Sequence, residues 1–374
     1  MAAVLLALAF SWVGAPPTAH AAAFVVNSTV DASDAAPGNG VCATATGLCT
    51  LRAAIQEANA FPGLDTITFN IAPGGVQTIT PASVFVSLTS PVIIDGTTQP
   101  GFAGTPIIEL NGSLAGATAT GLKFTGGSST LRGLVINRYG AYGVRLDGGG
   151  ANIVEGNFIG TNVSGTAALG NVSEGVYIVG SSANRVGGTA LAARNVISGN
   201  GIGGVRIVGP SATGNKIHGN YIGTAVDGVT PLGNGGHGVS IASAYGNAIG
   251  GAGAGEGNTI AYNTGAGVQI WTGATSNAVL SNSIHSNGLL GIDLALFDIS
   301  GVTPNDPGDP DTGPNNLQNF PVLSSATSAS IPPPQAKELP TVAFGHHRGH
   351  HRPGDPEQHA QHAIYHPVLL QRGL

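Results

Sequence analysis

The chain has 374 residues, 60 of them Gly, with only 9% charged and 5% aromatic residues, against about 25% charge and about 7% Gly in ordinary soluble domains. So sparse a charge excludes a polar-faced helical bundle, and a hydrophobic fraction of 42% is too high for a chain kept disordered by low hydrophobicity. The formal net charge of -6 argues against nucleic acid and anionic membrane surfaces as partners. What remains is a succession of short apolar strands separated by small turns. In chain order, Ala2 to Gly14 form an apolar stretch. Ala19-His20-Ala21 follows as an A-x-A cleavage site, with Ala23 an alternative cut point. Residues 1–23 thus read as an export signal, although its start lacks Lys or Arg. The apolar run falls short of the roughly 20 residues of a membrane span, and no second membrane-length segment follows. A secreted or cell-surface protein without a membrane span after signal cleavage is expected.

Cys42 and Cys49 are the two cysteines, with six residues between them in a Gly/Ala/Thr loop. Export implies an oxidising compartment and a local disulfide. The alternative is a pair of buried free thiols, and zinc wants four ligands rather than two. Residues 24–64 read as an N-terminal cap. Ala23 to Val30 is a first strand, and Leu51, Ala54, Ile55 and Ala58 recur at helical spacing. Thr50 is placed as N-cap and Pro62-Gly63 as terminator. One amphipathic helix ahead of many strands suits a lid over an open strand edge.

From Asp65 the texture changes to β-branched runs: Thr66–Phe69, Gln77–Thr80, Val92–Ile94 and Ile107–Leu110, with turn signals at Pro73-Gly74-Gly75 and Asp95-Gly96. A repeat then becomes explicit. Gly143-Val144-Arg145-Leu146 returns as Gly175-Val176-Tyr177-Ile178, Gly204-Val205-Arg206-Ile207, Gly238-Val239-Ser240-Ile241, Gly267-Val268-Gln269-Ile270 and Gly291-Ile292-Asp293-Leu294. Gly121-Leu122-Lys123-Phe124 is an earlier copy. Four residues before the Gly stands an Asn in the last five copies: Asn171, Asn200, Asn234, Asn263 and Asn287. Each interval holds two more short pieces opening on Asn, such as Asn152-Ile153-Val154 and Asn157-Phe158-Ile159. Three short strands per interval is the signature of a triangular β-solenoid.

The predicted fold is therefore all-β, a right-handed parallel β-helix over 65–297 with a short N-terminal capping helix. Val and Ile of each Gly-Val-x-Ile share a face and pile coil on coil into a narrow core. The five Asn are expected to form a hydrogen-bonded ladder. Alternate coils match best: Gly160 to Asn171 and Gly223 to Asn234 are twin inserts, and Val186-Gly187-Gly188 corresponds to Ile249-Gly250-Gly251. The inserts are expected to protrude two coils apart on one side.

Cys49-Thr50-Leu51-Arg52-Ala53-Ala54-Ile55-Gln56-Glu57-Ala58-Asn59-Ala60 resembles the C-S-L-R-E-A motif that opens many exported bacterial β-helix proteins. Asp65–Phe69, Ile94-Asp95-Gly96-Thr97-Thr98-Gln99-Pro100-Gly101, Gly156–Thr161, Asn305–Asp309 and Asn319–Leu323 are similar to further landmarks of that family. The resemblance covers roughly Ala23 to Thr327. It departs at Thr50, where the motif has Ser, and at Ala53, where it has Glu and a capping-box carboxylate is lost. It implies a surface-associated or released protein of pectin-lyase-like fold, a fold that also houses polysaccharide lyases and hydrolases; fold alone does not settle function.

A lyase needs ionisable groups converging on one face. Between Gly121 and Leu290 the acids are Asp147, Glu155, Glu174, Asp227 and Glu256, scattered through the repeat, so no catalytic residue is assigned. The outward column of Gly-Val-x-Ile is the candidate ligand face, with Arg145, Tyr177 and Arg206 suited to hydrogen-bonding and stacking on sugars; the plain alternative is a solvated sheet face. His218, His237 and His285 occupy non-equivalent positions and are expected at the surface. In the acidic Asn/Pro-rich segment 298–330, Asp306, Asp309 and Asp311 gather oxygen ligands for calcium, with a solvated Pro-stiffened linker as the alternative. From 331 to 374 the repeat is lost, and seven of the eleven His lie between His346 and His366. A shifted reading frame near Ser330 is the expected origin of this tail, with a disordered metal-binding tail or a folded element as the alternatives. The functional expectation is an exported structural, adhesive or glycan-binding β-helix whose partner is a polysaccharide or cell-surface glycan. The alternative is an extracellular polysaccharide lyase or glycoside hydrolase.

Overall fold

The computed structural model describes residues 21–296, 301–322 and 324–325; the expectations for the leader up to residue 20 and for the tail from 331 lie outside them. The chain is a right-handed parallel β-helix. Three sheets run its length, of nine, eight and seven strands among the described residues. We call them A, B and C in that order. All their pairings are parallel, and each sheet takes one strand from successive coils, so every strand is linked to its neighbour through a full turn of the helix. Parallel crossovers of this kind are right-handed in nearly all proteins.

The Gly-Val-x-Ile repeat sets the register of sheet C. Val176 pairs with Val205 and Ile178 with Ile207, then Val239 with Val268 and Ile241 with Ile270. These side chains are fully buried in one core cluster running from Phe24 to Val279. The preceding Gly packs too tightly for a side chain: a Cβ on Gly204 would lie 2.5 Å from both the Gly238 oxygen and Ile222 Cγ2. The outward residues Lys123, Arg145, Tyr177, Arg206, Ser240, Gln269 and Asp293 stand in one column, each paired with the next.

The corners hold three Asn ladders. Asn171, Asn200, Asn234, Asn263 and Asn287 form the first, each Nδ2 donating to the next Oδ1 at 2.8–3.0 Å. Each Oδ1 also accepts the backbone N–H of the preceding rung. The second runs Asn157, Asn195, Asn220, Asn258, Asn282, and the third Asn152, Asn184, Asn215, Asn247, Asn277. Buried turn amides that no strand can satisfy thus find partners without water, as burial requires.

At the N-terminus, α1 (Leu51–Ala60) is capped by Thr50, whose side chain accepts from the Ala53 N–H. The helix therefore forms without the capping-box carboxylate. Leu51, Ala54, Ile55 and Ala58 face the core beside Phe24, Ile67 and Phe69, closing the first coil. Arg52 grips Asp31 at 2.7 and 2.9 Å, and the buried Glu57 receives the N–H groups of Gly38 and Gly40. Cys42 and Cys49 form a disulfide.

At the other end, Asn315 supplies a further rung to the third ladder: the Asn277 N–H donates to its Oδ1 at 3.0 Å. The twin inserts do not protrude separately. Val226 of the second donates its N–H to Gly165 O of the first at 3.0 Å. Beneath them the outward residues Val135, Phe158 and Val196, with Val163 and Tyr221, form a second apolar cluster. Burying these rings against sheet B favours laid-down loops over projecting ones.

Candidate glycan-binding face

The outer face of sheet C is three residues wide; the central column and the column two residues beyond it share a face because strand side chains alternate, and the third lies where the chain enters the strand. The central column carries the expected Arg145, Tyr177 and Arg206. One flank, just before the repeat Gly, carries Tyr142, Glu174, Gly203 and His237. The other, four residues beyond that Gly, carries Asp147 and Trp271.

Tyr142 and Tyr177 stack with ring centroids 4.5 Å apart and planes within 7°. The Arg145 guanidinium lies 5.8 and 5.6 Å from their centroids while donating to Asp147 at 2.8 Å. Lys123 shares that carboxylate at 3.0 Å. Burial, with Glu174 nearby, pushes the Tyr142 phenol above its usual range and keeps it a neutral hydroxyl.

Three coils beyond Tyr177, about 14 Å along the axis at about 4.8 Å per coil, stands Trp271. Between them opens a cavity of about 220 Å³ lined by Glu174, Arg206, His237, Ser240 and Trp271. Its origin is Gly203, which leaves the flank column without a side chain between Glu174 and His237. Glu174 is buried and pairs with Arg206 at 3.3 Å. Trp271 is held by Nε1–H donation to Ser240 Oγ at 3.0 Å and by an edge contact with the His237 ring at 5.8 Å. His237 Nδ1 accepts the Ala266 N–H at 3.0 Å, which assigns the neutral tautomer with its proton on Nε2. Burial lowers the His237 pKa, opposed by Asp293.

Of the His residues expected at the surface, His237 is half-buried on this outer face and His218 departs from the expectation. His218 is buried, its Nδ1 4.0 Å from Glu256, and only His285 is exposed. The acids are likewise less dispersed than the repeat suggested, since Asp147 and Glu174 both reach this face from the flanks. Sequence reasoning followed the central column and missed Tyr142, Glu174, His237 and Trp271. Counting offsets of minus one and plus four from each repeat Gly would have found them.

The proposed calcium ligands Asp306, Asp309 and Asp311 are not drawn together. No group of three or more His, Cys, Asp or Glu side chains suited to a metal occurs among the described residues. Instead the segment is knitted by amides: Asn305 exchanges bonds with Phe320, Asn319 bridges Asp306, and Asp309 accepts the Asn319 N–H.

No family model matches the chain, and no curated protein does. Similar solved structures include the A-module of the Azotobacter vinelandii mannuronan C-5 epimerase AlgE4, at 13% identity over 62% of this chain and 64% of that one, with a TM-score of 0.32. The Dettilon tailspike protein is 13% identical over 65% of this chain and 55% of its own, with a TM-score of 0.29. The chain thus spans under two thirds of each. At these identities and TM-scores the likenesses carry no functional argument, and the fold stands on its own strand pairing. No described helix is long and apolar enough to cross a membrane.

Proposed function

We propose that this chain is an exported protein that binds a polysaccharide lengthwise along the outer face of sheet C. The carrying observation is the alignment, on one rigid face, of the stacked Tyr142–Tyr177 pair under Arg145 with the cavity that opens between it and Trp271, three coils on. Aromatic faces pack against the C–H surface of sugar rings, and flanking guanidinium and carboxylate groups take up hydroxyls. A parallel sheet holds such residues in fixed rows, so little is lost in ordering them on binding. The disulfide fits an oxidising destination.

Binding is favoured over cleavage by the spacing of the acids. Glycosidases hold two carboxyl groups about 5–9.5 Å apart. Glu174 and Asp293 stand four coils apart on sheet C, about 19 Å at the strand spacing, and Asp147 lies on the opposite flank from Glu174. Among the described residues no two acids of this face make such a pair.

The test is a glycan array followed by calorimetry on the best binder. Tyr177→Ala and Trp271→Ala should each weaken binding about tenfold or more. Tyr245→Ala, at an exposed corner away from the face, should leave it unchanged. Equal effects from all three, or product release with an ultraviolet-absorbing unsaturated end, would reject the assignment.

A further inference from the structure

We propose that the ligand of this face is an uncharged polysaccharide rather than a polyuronate or sulfated glycan, an inference that rests on the face being a glycan site. Each of its cations is already closed on a carboxylate. Among the described residues the face carries Lys123, Arg145 and Arg206 against Asp147 and the cavity-lining Glu174, while Asp293 is buried and accepts the Gly301 N–H. Lys123 and Arg145 both close on Asp147 at 3.0 and 2.8 Å, and Arg206 closes on Glu174 at 3.3 Å. His237 adds no charge, because its Nδ1 is occupied as an acceptor. The whole chain is itself negative, at -6.

A polyanion approaching this face meets no unpaired cation. To gain one it must displace Asp147 from Arg145 or Glu174 from Arg206, leaving a displaced carboxylate beside its own charges. Glu174 makes that exchange worse, since it is largely shielded from solvent and would lose its one ion-pair partner, Arg206. A hydroxyl-bearing sugar needs no displacement: it donates to the carboxylates and accepts from the guanidinium edges while the pairs stay closed. Its binding is then governed by ring contact with Tyr177 and Trp271, which salt does not screen.

Calorimetry on the mature chain would compare cellohexaose, xylohexaose, maltohexaose and hexa-N-acetylglucosamine with hexagalacturonate, hexamannuronate and a heparin hexasaccharide. Each titration is run at about 20 and about 500 mM NaCl, where screening lengths differ several-fold. The expected result is binding of at least one uncharged hexasaccharide with affinities at the two salts within about twofold, and at least tenfold weaker binding of every acidic one. Asp147→Asn frees two cations at once and should tighten hexagalacturonate binding about tenfold at low salt, an effect erased at high salt. Preference for an acidic hexasaccharide with steep salt dependence would overturn the inference and leave the glycan-binding face standing. No binding to any saccharide would remove both. Should Asp147→Asn leave uronate binding unchanged, charge matching would not be the cause of the selectivity.

Discussion

Removing one mid-ladder amide tests whether the Asn columns hold the solenoid together. Asn220 is fully buried. Its Nδ2 donates to Val186 O, His218 O and Asn258 Oδ1, each at 2.9 Å. Its Oδ1 accepts from Asn195 Nδ2 at 2.9 Å and from the Asn195 N–H at 3.4 Å. In Asn220→Ala some partners keep a second bond: Asn258 Oδ1 retains the Asn220 N–H at 2.9 Å, and Asn195 Nδ2 retains Val154 O at 2.8 Å. Two or three groups are left stranded, each at about 1–3 kcal/mol, so the loss should be about 3–5 kcal/mol. The end rung gives the internal comparison. Asn287 is half-buried and accepts from Asn263 alone, and water can replace it, so Asn287→Ala should cost about 1 kcal/mol. Urea denaturation followed by far-ultraviolet circular dichroism measures both, with the m-value checked for loss of cooperativity. Equal losses for the two variants, or a change under about 0.5 kcal/mol for Asn220→Ala, would refute the ladder as a stabilising element.

Gly223 has φ +90°, and a Cβ there would lie 2.0 Å from the Ala261 carbonyl oxygen; Gly223→Ala should cost upwards of about 3 kcal/mol, read as a lowered urea midpoint. Reducing the Cys42–Cys49 disulfide should destabilise the N-terminal cap by about 2 kcal/mol from loop entropy, seen as faster proteolysis between residues 31 and 49 while the later coils stay protected. Burial lowers the pKa of both His237 and His218 from the ordinary 6.5, so the unfolded chain binds protons that the folded chain refuses. The stability they allow is complete above about pH 6.5 and is lost as the pH falls toward the folded pKa values. His237→Gln, which keeps an acceptor for the Ala266 N–H, should flatten the decline in urea midpoint between about pH 6.5 and pH 5; an unchanged slope would contradict the assignment.

Much of the architecture was legible because a parallel solenoid writes its register into the chain. Aligning Gly175-Val176-Tyr177-Ile178 with Gly204-Val205-Arg206-Ile207 gave the pairing of Val176 with Val205 and Tyr177 with Arg206, since both sets recur at one offset from a Gly that admits no side chain. The two further ladders carried the same signal in Asn184-Arg185-Val186 and Asn195-Val196-Ile197, each piece opening on the Asn that becomes a rung. The flanks of the face were harder to see. Glu174, Gly203 and His237 share no residue type, so no motif marks their column, and only the pairing of Glu174 with Gly203 reveals the missing side chain that opens the cavity. The contact between the inserts was hidden for another reason: it depends on Phe158, Val196 and Tyr221 facing outward from sheet B, against the usual rule that strand aromatics face the core.

The most direct test is a crystal structure of the mature chain with the best-binding hexasaccharide. The sugar chain should lie along the solenoid axis, spanning Tyr177, Arg206 and Trp271 of sheet C, with the Arg145–Asp147 and Arg206–Glu174 pairs still closed. A saccharide seated instead on the inserts over sheet B, or lying across the coils rather than along them, would contradict the account.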